Sequence, residues 1–121
     1  MATVRYIVND VEAAVGFYTG LLGFELKQSF APAMAILAKG DLELWVAGPV
    51  ASASRPMPDG SQPAPGGWNR FVVVVEDIAA TVAALTEAGT KFRGEIISNQ
   101  GRQQILVEDP SGNAIEIFQA S

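Results

Sequence analysis

Superposing Asp10 on Asp77 lays Val8 on Val75, Val11 on Ile78 and Val15 on Val82, and the pattern around the two aspartates runs in the same order. A chain that carries one pattern twice must bury two similar apolar stripes, so it is restricted to architectures made of two like modules. In the first module Thr3–Val8 (TVRYIV) has the β-branched and aromatic content of a strand. Asp10 then supplies a helix N-cap. Val11, Ala14, Val15, Tyr18 and Leu22 recur on one helical stripe, widened by Phe17 and Leu21, and Gly23 closes it. Strands are expected at Phe24–Gln28, Met34–Ala38 and Leu42–Val46, the last two joined at Lys39-Gly40-Asp41.

The second module opens with Arg70–Val75 (RFVVVV), is capped at Asp77, and carries Ile78, Thr81, Val82 and Leu85 on a helix that ends at Gly89. Strands follow near Arg93–Ser98, Arg102–Glu108 and Asn113–Gln119, the last two joined by Asp109-Pro110-Ser111-Gly112, with Asp, Pro and Gly where a type I turn favours them. The fold class is therefore α+β, two tandem βαβββ modules over residues 1–47 and 68–121. Between them residues 48–67 hold five of the seven prolines among Ser, Ala and Gly, which reads as a linker or functional loop rather than an element.

Composition removes whole classes of chemistry. With no Cys and no His, the chain builds no disulfide, thiolate nucleophile, zinc finger, Ser-His-Asp triad or HExxH site. Acid–base work falls to carboxylates, Tyr, Lys or water, and a metal would be held by oxygen ligands, which favour Mg, Mn or Ca. A net charge of −5 with eight scattered Lys and Arg gives no phosphate track, so no nucleic-acid partner is expected. The longest apolar runs, near Ala33–Ala38 and Phe71–Val75, are far short of the ~18 residues that span a bilayer. The first twenty residues lack a signal-peptide core, and a cytoplasmic protein with no membrane partner is the expectation.

Two motifs in order, Phe17-Tyr18-x3-Leu22-Gly23-Phe24 and Asp109-Pro-x-Gly112-x3-Glu116, set within the duplicated module, resemble the vicinal oxygen chelate superfamily. That superfamily includes glyoxalase I, bleomycin-resistance-type binding proteins, fosfomycin-resistance transferases and extradiol dioxygenases. The resemblance implies sheets curled into cups around a cavity, which short chains usually build as homodimers. It also implies a four-ligand metal site in the metal-dependent members, one ligand on the first and one on the last strand of each module. Those positions fall on Thr3 and Arg70, each seven before the N-cap aspartate, and on Glu43 and Glu116.

Strand alternation independently sets Glu43 with Asp41 and Trp45, opposite Leu42, Leu44 and Val46, and sets Glu116 with Ala114 and Phe118, opposite Ile115 and Ile117. Arg70 cannot ligate a metal, because a guanidinium has no acceptor and stays protonated. It can neutralise the carboxylates instead, so an ion-paired cavity with no metal and no other cofactor is expected, a divalent ion being disfavoured by Arg70 and by the lack of His. Candidate ligand-binding residues are Arg5, on the face of Thr3, with Trp45, Arg70, Arg102, Gln104 and Phe118. Glu43 and Glu116 are the candidate acid–base pair. Trp68 reads as a rim or packing residue and Tyr18 as core.

Two function classes follow from the resemblance. One is a metal-independent binder that sequesters a small molecule, of the bleomycin-resistance kind. The other is a glyoxalase-like lyase or isomerase in which Glu43 or Glu116 takes a proton beside a carbonyl, with or without a divalent metal.

Overall fold

A computed structural model describes residues 2–120. The described chain divides into two compact units that meet in sequence at Gly66 and Gly67. The first unit holds β1 (Ala2–Ile7), α1 (Val11–Leu21), β2 (Glu25–Phe30), β3 (Met34–Lys39) and β4 (Leu42–Ala47). The second holds β5 (Phe71–Val74), α2 (Ile78–Glu87), β6 (Phe92–Asn99), β7 (Arg102–Glu108) and β8 (Ala114–Gln119). Each unit is one four-stranded mixed sheet, ordered β1-β4-β3-β2 and β5-β8-β7-β6. In each, the first strand runs parallel to the last, and the remaining neighbours are antiparallel. This is the tandem βαβββ architecture that the repeat implies.

Both helices start where their aspartates place them. Asp10 Oδ1 accepts from the Glu12 and Ala13 amides, and Asp77 Oδ1 from that of Ala80, satisfying donors that a helix N-terminus otherwise leaves open. The α2 start is also tied to its sheet, because the Ile78 amide donates to Gln119 Oε1 at 2.7 Å. The α1 stripe is buried at Val11, Ala14, Phe17 and Tyr18. It ends through Gly23, whose φ of +75° lets the Phe24 amide turn back onto the Tyr18 carbonyl. That turn buries Phe24 with its ring 5.4 Å from that of Tyr18, so β2 starts one residue later than the alternation suggests.

The cores follow the pleat. Leu44, Val46, Ala35 and Leu37 are buried on the α1 side of the first sheet, and Ile115, Ile117, Ile105 and Val107 are buried on one face of the second, which α2 joins at β8. The proline-rich stretch corrects the expectation of an element-free loop, because it contains a 3-10 helix over Ser52–Ser54. Its anchor is Ser54, buried, whose hydroxyl donates to the Gly48 carbonyl at 2.7 Å. Gly48 in turn donates to the Ala33 carbonyl, so this start of the loop is fastened to the β2–β3 turn.

Candidate functional site

The faces turned away from the helices carry the candidate residues, and strand register arranges them in rows. In the first unit one row is Thr3–Glu43–Ala38–Glu25, the next is Arg5–Trp45–Ile36–Gln28, and the third is Ile7–Ala47–Met34–Phe30. In the second unit the rows are Val72–Glu116–Leu106–Arg93 and Val74–Phe118–Gln104–Ile97.

Register separates two residues that the motif reading treats alike. Thr3 faces Glu43 directly, whereas Glu116 faces Val72. Arg5 and Val72 each lie five residues before their N-cap aspartate, so the place of Glu116 in the second unit belongs to Trp45 in the first. Glu43 and Glu116 are therefore not equivalent under the repeat.

The two glutamates also have different partners. Arg70 donates through Nη2 and Nε to Glu116 Oε1, at 2.9 and 3.2 Å, and through Nη1 to the Trp68 carbonyl at 3.3 Å. The Glu116 side chain is only 13% exposed, whereas Arg70 stays open to solvent, so the charge-assisted pair brings a solvent-facing cation onto a largely covered carboxylate. Glu43 Oε1 instead accepts the Trp45 indole N–H at 2.7 Å. That bond fixes the orientation of the ring, and the Arg5 guanidinium carbon lies over it, 5.0 Å from the centroid. Arg5 and Trp45 thus stand together on one face, as the alternation expects.

The other candidates are placed as follows. Gln104 and Phe118 are neighbours in one row, both half-buried, between Val74 and Ile97. Arg102 is exposed and pairs with Asn99 at the far end of β7 from Glu108, outside the row that holds Glu116. Trp68 is 68% exposed and lies under the Arg93 guanidinium at 4.7 Å. Arg93 is a residue that the sequence reading passed over. It donates through Nε to Glu108 Oε2 and through its two Nη atoms to the carbonyls of Gly67 and Gly112, which locks the entry of β5 to the β7–β8 turn. Its signal is hidden because a register shift between Arg93 and Ile97 breaks the alternation of β6.

A cavity of about 350 Å³ opens on the first unit beside these rows, lined by Arg5, Phe30, Met34, Ala47, Val50 and Ser52 among others. A second, of about 360 Å³, lies between the end of β1 and the loop, against Asn9, Ser54, Gln62 and Pro63.

These donors do not suit the four-ligand metal site of the metal-dependent members. Thr3 offers only a hydroxyl, Arg70 offers no acceptor, and Oε1 of Glu116 already accepts two N–H groups from Arg70. Among the described residues no three Asp or Glu side chains converge as a ligand set.

Residues 1–117 match the sequence profile of the Glyoxalase/Bleomycin resistance protein/Dioxygenase superfamily. The chain belongs to that superfamily. It is 28% identical over 116 residues to the uncharacterized protein YwbC of Bacillus subtilis, covering 93% of this chain and 91% of that one. Among solved structures, a superfamily member from Sphaerobacter thermophilus is 26% identical with a TM-score of 0.74, over 98% of this chain and 95% of that one. TnmS3, an antibiotic binding protein from Streptomyces, is 25% identical with a TM-score of 0.72, over 98% and 93%. No helix among the described residues is long and apolar enough to cross a membrane.

Proposed function

We propose that this superfamily member is a metal-independent small-molecule-binding protein of the sequestering or resistance type. The observation that carries the reading is the Arg70–Glu116 pair. A guanidinium seated on a metal-ligand position supplies the positive charge that a metal would otherwise bring, and it cannot itself coordinate one. A largely apolar cavity with Phe30 in its wall, and with Arg5 reaching from it over the Trp45 indole, is the kind of surface that holds a ring. The similarity to an antibiotic binding protein supports the same reading.

The test is a thermal-shift and calorimetric screen of planar aromatic compounds against protein stripped of metal with a chelator. Binding without turnover, weakened by Trp45→Leu, is the expected result. Turnover of a 2-oxoaldehyde–thiol adduct that Glu116→Gln abolishes would instead assign the lyase or isomerase activity.

The reading includes a homodimer. Val72, Val74 and Ile97 on the helix-free face of the second sheet are 48%, 64% and 61% exposed, an apolar set that a second copy would cover. Sedimentation should give twice the 12.8 kDa chain mass.

A further inference from the structure

Arginines in this chain are used in two ways. Arg70 and Arg93 are paired with Glu116 and Glu108. Arg5 makes no salt bridge among the described residues, and the nearest acid on its face by register, Glu43, already accepts the indole N–H of Trp45. Yet Arg5 lines a cavity whose other walls include Phe30, Met34, Ala47, Val50 and Ser52.

From this we infer that the cavity takes an aromatic or other apolar compound bearing a carboxylate, and that Arg5 is the residue that binds the acid group. The inference rests on the small-molecule-binding reading and goes further by giving the ligand its charge. The Arg5 guanidinium lies over the Trp45 ring, and its planar fork of N–H donors suits a carboxylate taken by two parallel bonds. A neutral apolar ligand that covered Arg5 would strand a charge away from water, at a cost that nothing in the cavity wall offsets. A cation would meet Arg5 directly. The net charge of −5 gives no long-range attraction for an anion, so the selectivity must come from this contact.

Three matched probes separate the alternatives by calorimetry at neutral pH: 2-naphthoate, 2-naphthamide and 2-naphthylmethylammonium. The expected result is that the acid binds about tenfold or more tighter than the amide, a difference of roughly 1.4 kcal/mol, and that the ammonium binds weakest. Arg5→Met should abolish the preference of the acid over the amide, with an unchanged circular-dichroism spectrum and a cooperative melting transition showing that the variant is folded. Arg5→Lys, with the charge but not the planar fork, should keep part of the preference. Equal binding of acid and amide, tightest binding of the ammonium, or a preference that survives Arg5→Met would overturn the assignment while leaving a binding protein. Failure of all three probes to bind would overturn it together with the binding reading.

Discussion

Arg5 and Trp45 are partners across the parallel β1–β4 ladder, with the Arg5 guanidinium over the Trp45 ring, while the residues in the same two places of the second unit are Val72 and Glu116. The repeat therefore preserves a backbone position and changes its chemistry completely. In the first unit that position holds a cation on an indole. In the second it holds a carboxylate, and the cation comes from Arg70 at the entry to the strand.

The Arg70–Glu116 pair sets the first prediction. Arg70→Met leaves a mostly buried carboxylate without its partner, and is expected to lower unfolding free energy by about 1–2 kcal/mol, below the upper range for a lost charged hydrogen bond because Arg70 is partly exposed. Adding Glu116→Gln to that variant should recover much of the loss. A double-mutant cycle by urea denaturation measures both, and additive effects would show that the pair is not coupled.

Gly48 is hemmed in by backbone. A Cβ there would meet the Pro32 carbonyl oxygen at 2.6 Å and Val11 Cγ2 at 2.9 Å. The carbonyl cannot swing away as a flexible side chain would, because the Ala33 carbonyl beside it accepts the Gly48 amide. Gly48→Ala should cost roughly 1–3 kcal/mol, the usual range for overpacking, and should loosen the Ser52–Ser54 turn held on the Gly48 carbonyl. Gly60→Asn, at a φ of +89° with open space around it, is the milder control. A Gly48→Ala variant as stable as the parent protein would contradict the packing described.

The loop also contains a titration marker. Hydrogen bonds from the Ser61 hydroxyl, at 2.6 Å, and the Ser61 amide, at 2.9 Å, hold the Asp59 carboxyl below the usual aspartate pKa. A depressed folded-state value means that the interaction favours the fold above the unfolded-state pKa and is lost as pH falls through the folded-state one. Carbon-detected NMR titration should place Asp59 below an ordinary aspartate. Ser61→Ala should move it only part of the way back, because the amide donor remains. A midpoint that does not respond to Ser61→Ala would show that the turn is not formed in solution.

Much of this was legible in the residues. Asp10 and Asp77 cap their helices, Gly23 and Gly112 take positive φ, and Tyr18 is fully buried, all from short-range patterns with a fixed physical cause. What could not be read is set by pairing between distant strands. Glu43 and Glu116 look alike because each alternates with apolar residues in a last strand. Only the ladder shows that Thr3 faces one and Val72 the other. Arg93 and Gln119 were missed for the same reason, since their partners lie 15 and 41 residues away. The Ser52–Ser54 turn was hidden because it depends on one side chain reaching the Gly48 carbonyl, not on any periodicity.

We propose that Arg70 stands in for a metal. The most direct test is elemental analysis of tag-free protein, incubated with Mn, Ni, Zn or Mg and then desalted, alongside the Arg70→Met and Glu116→Gln variants. The tag must be removed because the chain itself contains no histidine. The expected result is no stoichiometric metal in the parent protein, with its melting temperature unchanged by each ion. Near-stoichiometric metal that is lost in Glu116→Gln would contradict it.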